Sequence, residues 1–163
     1  MYCSQVVVRA FFETGRATVM TRETIAIASD HAGVELKSTL AALLDEMGFA
    51  VQDLGTTGAS SVDYPDFADL MAEALAQGPA QRGVLICGTG VGIAMAANRH
   101  RTLRAALCHD AVTARMSRAH NDANVLVLGA RIVGSEVAAD CLRVFLDTSF
   151  EGGRYARRVA KMS

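Results

Sequence analysis

Apolar residues from Thr24 onward fall into two alternating patterns. Short, nearly continuous apolar runs, such as residues 25–28, are typical of strands buried on both faces of a parallel sheet. Between them lie longer segments in which apolar residues recur every three or four positions, as on one side of a helix. Strands are predicted in this way over residues 24–29, 49–54, 83–86, 104–108 and 125–129.

Helical patterns follow each of these strands. Helices are predicted over residues 34–47, 65–77, 93–98, 111–118, 135–147 and 154–162. Pro65 suits a first helical turn, and Gly48 suits the position just after a helix end. Because strands alternate with helices, we predict an α/β fold of three layers (α/β/α), Rossmann-like, with a five-stranded parallel sheet.

Composition limits the class of protein. We assign residues 23–163 to a single domain and residues 1–22 to an extension of unknown role, with Met20 as an alternative start. The chain has 16 basic and 17 acidic side chains, so its net charge of −1 predicts neither a nucleic-acid partner nor attraction to a membrane. The cysteines form no Cys-x-x-Cys pair and the histidines lack zinc-ligand spacing. We therefore expect a reduced, cytoplasmic protein without a metal site.

One turn carries candidate chemistry. Residues 85–92 run from the third predicted strand through three glycines into a helix. Such a turn gathers backbone N–H groups at the positive end of the helix, where they bind oxyanions. Cys87 stands in the same turn, and a helix N-terminus stabilises a thiolate. The turn thus predicts an oxyanion cradle beside a candidate base.

Other glycine motifs do not fit this turn. A dinucleotide-binding fingerprint would need a third glycine at the position of Ile93. A phosphate loop of the Walker type would need Gly-Lys-Ser or Gly-Lys-Thr where the chain reads Gly92-Ile93-Ala94. The alternative that stays open is that Cys87 is only a small buried apolar residue at the end of a strand.

Polar residues follow most of the predicted strands. They are Asp30-His31, Gly55-Thr56, Cys87-Gly88-Thr89, His109-Asp110 and Arg131. Ligands of parallel α/β folds bind outside the carboxyl ends of the strands. We therefore predict one site, built around the turn after the third strand.

Five motifs stand in a fixed order along the chain. They cover residues 29–33, 63–65, 86–92, 117–124 and 150–154. In order and spacing they resemble the type B ribose-5-phosphate isomerases, a family that includes galactose-6-phosphate and allose-6-phosphate isomerases. The resemblance runs from about Thr24 to the C-terminus. It implies an aldose–ketose isomerase that works through an enediolate with neither metal nor organic cofactor.

The resemblance also implies roles for individual residues. Cys87 would be the base that moves a proton between C2 and C1, with the Thr89 hydroxyl close by, and His120 would open the sugar ring. The implied substrate-binding residues are Asp30, His31, Tyr64, Gly88, Gly90, Val91, Gly92, Asn121, Arg131, Arg154 and Arg158. Arg154 and Arg158 are four residues apart and share a helix face, which suits a phosphate but also an ordinary solvated surface.

Family members are homodimers or tetramers with sites shared between subunits, so we expect the same assembly here. The predicted reaction interconverts ribose 5-phosphate and ribulose 5-phosphate, and the open alternative is another sugar phosphate such as erythrose 4-phosphate, allose 6-phosphate or galactose 6-phosphate. A non-catalytic phosphate-binding module is the alternative from another class, although such a module would need neither a base nor a ring-opening residue.

Overall fold

The five predicted strands form one parallel sheet. A computed structural model describes residues 22–58 and 60–162. The strands are β1 (Thr24–Ser29), β2 (Ala50–Asp53), β3 (Arg82–Cys87), β4 (Ala105–Leu107) and β5 (Val125–Gly129). They lie in the order β2-β1-β3-β5-β4, and every neighbouring pair is parallel. The predicted five-stranded parallel sheet is therefore confirmed.

Six helices are present in this part of the chain. They are α1 (Val34–Glu46), α2 (Tyr64–Gln77), α3 (Val91–Ala97), α4 (Ala111–Asn121), α5 (Ser135–Asp147) and α6 (Arg154–Val159). Most predicted ends lie within two residues of the observed ones, but two helix ends were wrong by three residues. Helix α4 continues past Arg118 because its apolar pattern stops before its hydrogen bonds do, and α6 ends before Met162. After Val159 the chain turns through i→i+3 bonds, from Lys161 N–H to Arg158 and from Met162 N–H to Val159.

Helices cover both faces of the sheet, as predicted. Ile25 and Ile27 are fully buried in one apolar cluster that includes residues of α1, α4 and α5. Ala26 and Ala28, which point to the opposite face, are fully buried in a second cluster with α2 and α3. Burial on both sides explains why the strands read as continuous apolar runs.

The strand order creates a crevice between β1 and β3. Strand β2 lies on the outer side of β1, whereas β3 lies on its other side, so the connections leave in opposite directions. Ligands of open α/β sheets bind at this switch point, outside the carboxyl ends of the strands. Asp30 follows β1 there and Cys87 ends β3.

One prediction about chain organisation concerns the extension over residues 1–22. The extension assigned to residues 1–22 lies outside the described residues except for Arg22, whose guanidinium pairs with Asp45 at 2.8 Å. Among residues 22–58 and 60–162, no helix has the length and apolar character needed to cross a membrane.

Helix α4 depends on a side-chain cap that offers a test of the fold. The Asp110 carboxylate accepts the Thr113 N–H at 2.8 Å, and this bond holds the pKa of Asp110 below its usual range. Asp110→Ala should therefore lower Tm at pH 7 by about 2–4 °C. Because a depressed carboxyl pKa stabilises only while the group is ionised, the difference should vanish as the pH falls through the carboxyl range.

Thermal unfolding followed by circular dichroism at several pH values measures this effect. Asp140→Ala is the matched control, since Asp140 is an exposed residue within α5 whose ion pair with Arg143 spans 3.2 Å. Equal Tm values for the Asp110 and Asp140 variants at pH 7 would contradict the capping role.

Candidate active site

Cys87 lies at the carboxyl end of β3, inside the glycine turn. Its side chain is only 4% exposed, and its Sγ accepts a hydrogen bond from the Gly90 N–H at 3.1 Å. Gly90 has φ of 80°, and a Cβ there would lie 2.4 Å from Leu107 Cδ1. Only glycine fits this position, because both the backbone conformation and the close approach exclude a side chain. The turn therefore aims an N–H group at the sulfur.

The other two cysteines of the described chain have different surroundings. Burial raises the pKa of the Cys108 thiol, and burial raises that of Cys141 to about 11. Both therefore remain neutral thiols at pH 7. Both belong to the apolar cluster on the opposite face of the sheet from Cys87. They are structural residues, whereas Cys87 faces the turn.

Tyr64 and Arg131 border the same turn. A Cβ on Gly92 would lie 2.6 Å from the Tyr64 Cζ, so the tyrosine ring packs directly over this glycine. A Cβ on Gly88 would lie 3.8 Å from the Arg131 Cζ, which puts the guanidinium beside the start of the turn. The N–H of Arg131 also bonds the Gly88 carbonyl at 2.9 Å. An aromatic wall and a cation thus flank the cysteine turn.

Two hydrogen bonds lie within the turn itself. The Gly90 N–H donates to Cys87, and the Val91 N–H donates to the Thr89 hydroxyl at 3.3 Å. The cradle predicted from the sequence therefore has two of its N–H groups directed at side chains of the turn. Both side chains belong to the predicted catalytic set, so the turn orients them.

Asp30 and His31 follow β1 on the other side of the crevice. Asp30 is 6% exposed and accepts the Ala32 N–H at 2.9 Å. The His31 Nδ1 accepts the Val62 N–H at 3.3 Å. An imidazole that accepts at Nδ1 carries its proton on Nε2 when neutral, so Nε2 of His31 is a donor. Such a donor suits a phosphate or hydroxyl oxygen.

These residues form one group at the carboxyl edge of the sheet. We call it the carboxyl-edge group: Asp30, His31, Tyr64, residues 87–92 and Arg131. The sequence predicted all of them, and the structure places them around the β1/β3 crevice.

The remaining predicted residues lie elsewhere. His120 and Asn121 end α4, and the next residues lead into the start of β5. Helix α4 begins near the carboxyl edge and its 11 residues span about 16 Å. His120 and Asn121 are therefore at the amino edge of the sheet, the edge opposite Cys87. Helix α6 packs against α4 and brings Arg154 and Arg158 there.

We call His120, Asn121, Arg154 and Arg158 the amino-edge group. Within a single chain this group is separated from Cys87 by the length of the strands, so the predicted site, which was expected to share residues between subunits, stays a prediction. The sequence did not reveal this separation. The rule that ligands bind beyond the carboxyl ends of parallel strands locates only the residues that follow strands.

Tyr155 holds the amino-edge group together, although nothing in the sequence pattern singled it out. Its ring stacks on the His120 imidazole with 4.1 Å between ring centroids. Its hydroxyl lies 2.7 Å from Arg154 Nη2, a bond that raises the pKa of Arg154. The Cζ atoms of Arg154 and Arg158 lie 4.8 and 5.7 Å from the ring centroid. A tyrosine between arginines is a common pattern, so only the structure reveals this contact.

Asp122 fixes the turn that follows His120 and Asn121. It has φ of 47°, which is rare for a residue with a side chain. Its two carboxylate oxygens bind Arg104 and Arg118, each at 2.8 Å. These two ion pairs hold the end of α4 in one position.

A cavity of about 370 Å³ opens beside the amino-edge group. Its lining residues are Asn98, His100, Arg101, Leu103, Arg104, Ala105, Ala106, Ser117, Asn121, Ala123 and Met162. Asn121 lines it, whereas Cys87 does not. The described residues also contain no group of three or more His, Cys, Asp or Glu side chains placed to hold a metal ion.

Comparison with known proteins gives the family. A family model described as Ribose/Galactose Isomerase matches residues 25–162. Ribose-5-phosphate isomerase B of Escherichia coli is 45% identical over 83% of this chain and 91% of its own length. D-Erythrulose-4-phosphate isomerase of Pectobacterium atrosepticum is 42% identical over 85% and 91% of the two chains.

Solved structures agree with the sequence relatives. Ribose-5-phosphate isomerase B of Clostridium thermocellum is 50% identical and superposes with a TM-score of 0.84, over 85% of this chain and 94% of its own. The family match runs from the second residue of β1 to residue 162 and includes both residue groups. The chain is therefore an isomerase that belongs to the ribose/galactose isomerase family.

Proposed function

We propose that the protein interconverts ribose 5-phosphate and ribulose 5-phosphate through an enediolate, with Cys87 as the base. The observation that carries this proposal is the Cys87 Sγ, held 3.1 Å from the Gly90 N–H in a glycine turn beside the crevice. The thiolate is the reactive form of a cysteine, and this turn holds the sulfur in a fixed place beside the crevice. The names of the relatives from E. coli and C. thermocellum support ribose 5-phosphate as substrate.

The reaction moves two protons, one between the carbons C2 and C1 and one between their oxygens. The Cys87 thiolate takes the proton from C2 of the open-chain aldose, which leaves an enediolate across C1 and C2. The resulting thiol returns the proton to C1, while the proton on the O2 hydroxyl passes to O1, so the ketose forms without loss or gain of atoms. Charge develops on the enediolate oxygens, and N–H groups of the turn are the donors that stabilise it.

The ring must open before this proton transfer. Ribose 5-phosphate closes into a furanose, and the resemblance assigns its opening to His120. His120 lies at the opposite edge of the sheet from Cys87 in one chain. We therefore propose that the site forms between two chains, with the carboxyl-edge group of one chain and the amino-edge group of its partner. A two-fold axis builds two such sites at once.

Phosphate recognition would then involve both chains. Arg131 belongs to the carboxyl-edge group, whereas Arg154 and Arg158 belong to the amino-edge group. Guanidinium groups bind phosphate oxygens through paired N–H donors. The phosphate is thus the part of the substrate that connects the two chains.

A second candidate substrate is a four-carbon sugar phosphate. The relative from P. atrosepticum is named D-erythrulose-4-phosphate isomerase and is 42% identical. The same base and enediolate serve either substrate, so the turn geometry does not distinguish them.

A panel of aldose phosphates tests the proposal. The purified protein is assayed with erythrose 4-phosphate, ribose 5-phosphate, allose 6-phosphate and galactose 6-phosphate, and we expect the highest kcat/KM with ribose 5-phosphate. A higher value with another sugar would establish that substrate instead. Binding of sugar phosphates by calorimetry with no turnover of any would identify a phosphate-binding module.

A mixed dimer tests the two-chain site. One copy carries Cys87→Ala and the other His120→Ala, with a different affinity tag on each so that the mixed dimer can be purified. One of its two sites then contains both an intact Cys87 and an intact His120, so we expect about half of the wild-type activity on ribose 5-phosphate. Activity no higher than that of the two parent variants would contradict a site shared between chains.

The arginine pair gives a separate prediction about binding. Arg158→Ala should raise KM for ribose 5-phosphate by about 10- to 100-fold, because a charge-assisted contact with the phosphate is lost. We expect kcat to change little. Arg157→Ala is the matched control, since Arg157 is an exposed arginine on the same helix that has no assigned role. Equal KM values for the two variants would show that Arg158 is only part of a solvated surface.

A further inference from the structure

One buried side chain connects the two chemical functions of the amino-edge group. Tyr155 is 9% exposed, whereas the His120 side chain is 34% exposed. The two rings are nearly parallel, with an interplanar angle of 14° and centroids 4.1 Å apart. The edge of Tyr155 meets Arg154, because its hydroxyl lies 2.7 Å from the guanidinium. A single ring therefore contacts both the imidazole and a phosphate-binding arginine.

Stacking fixes an imidazole without using its nitrogens. The second torsion of a histidine side chain has a broad range, so an imidazole at a helix end has considerable rotational freedom. A flat ring against one face restricts this rotation, while both nitrogens stay at the ring edge. The Glu151 carboxylate lies 3.8 Å from His120 Nε2, which is beyond hydrogen-bond distance. The stacked Tyr155 ring thus restrains the His120 ring without occupying either of its nitrogens.

We propose that Tyr155 is a positioning residue that sets the His120 imidazole at a fixed distance from the phosphate-binding arginines. The inference rests on the proposed function. A sugar phosphate has its phosphate at one end and its ring oxygen at a set distance from it. Because Tyr155 contacts the groups assigned to both ends, it fixes the spacing between them. Loss of the Tyr155 ring should therefore lower kcat only because the His120 imidazole is no longer held in place.

Two variants separate the ring of Tyr155 from its hydroxyl. Tyr155→Phe keeps the stacked ring and loses the bond to Arg154, so we expect a higher KM for ribose 5-phosphate with nearly unchanged kcat. Tyr155→Leu loses the flat ring as well, and kcat should fall roughly tenfold to a hundredfold, part of the assistance expected from a general acid. Phe67→Leu is the matched control, because Phe67 is equally buried, at 9% exposed, on α2.

A double-variant cycle distinguishes positioning from general loss of structure. In a His120→Ala background, Tyr155→Leu should cause no further loss of kcat on ribose 5-phosphate. On erythrose 4-phosphate, which cannot close into a furanose, Tyr155→Leu should leave kcat nearly unchanged. The proposal is overturned if the loss is the same with and without His120, if it is the same on both substrates, or if Tyr155→Phe lowers kcat as much as Tyr155→Leu.

A measurement independent of activity separates this proposal from the proposed function. Ring stacking shifts the NMR signals of the His120 imidazole protons upfield, and this shift should persist in Tyr155→Phe and disappear in Tyr155→Leu. If the wild-type protein isomerises no sugar phosphate, the proposed function fails, and the NMR result alone decides the placement of His120. An imidazole shift unchanged in Tyr155→Leu would overturn that placement.

Discussion

Cys87→Ala should yield a folded protein with almost no isomerase activity. The substitution removes one small side chain that is 4% exposed, and changes of this size cost about 0.5–3 kcal/mol of stability. The proposed reaction, in contrast, would lose the group that removes the C2 proton. The expected loss is at least the 10²–10⁴-fold typical of a general base, because no other described side chain has been assigned to this step.

Matched variants make this result specific. Cys108→Ala truncates a thiol that is 1% exposed and has a raised pKa, and its activity should match that of the wild type. Cys87→Ser nearly keeps the size and the hydrogen-bonding ability of the side chain. It replaces the thiol with a hydroxyl, which is a far weaker acid and forms no anion at pH 7, so the variant should be nearly as inactive as Cys87→Ala. Activity is measured as ketose formation from ribose 5-phosphate, and folding by circular dichroism. Wild-type activity in Cys87→Ala would remove this residue from the mechanism.

His120→Ala should lose activity on one class of substrate only. Ribose 5-phosphate must open its furanose ring, and general acid–base assistance of such a step contributes about 10²–10⁴-fold. Erythrose 4-phosphate has its O4 esterified, so the furanose cannot form and the step is absent. We therefore expect a large loss of kcat on the five-carbon substrate and little loss on the four-carbon one.

The pattern of losses identifies the role of His120. Equal losses on both substrates would assign it to binding or to the proton transfer between C2 and C1. Full activity on both would make it a histidine that only ends α4. His100→Ala is a suitable control, because His100 pairs with Asp69 at 2.7 Å and has no assigned role in the reaction.

The sheet could be predicted from the sequence because its strands are buried on both faces. Ile25 and Ile27 pack on one layer of helices and Ala26 and Ala28 on the other, so the run has no polar interruption. Helix ends were harder to predict. Helix α4 reaches Asn121 because Asp122, at φ of 47°, is held by Arg104 and Arg118. Nothing in the sequence pattern marks these two arginines as partners of Asp122.

The candidate site was predictable to a similar extent. The glycine turn around Cys87 has a local pattern, because the positive φ and the close packing at Gly90 demand glycine. The division of the predicted residues between two edges has no such local pattern, because it depends on the length and direction of α4. The contact between His120 and Tyr155 joins residues on different helices, and no spacing in the sequence encodes it.

The position of the two residue groups at opposite edges of the sheet has a consequence for enzyme kinetics. In a lone chain, Cys87 and His120 lie at opposite edges of the sheet, too far apart to act on one sugar in the proposed roles. For a site shared between chains, the rate per milligram of protein should therefore fall on dilution, as dimers dissociate, even while every chain keeps its fold. The dilution at which the rate halves would report the strength of the subunit contact. Saturating substrate should shift that point to lower protein concentration, because substrate bridges the two chains.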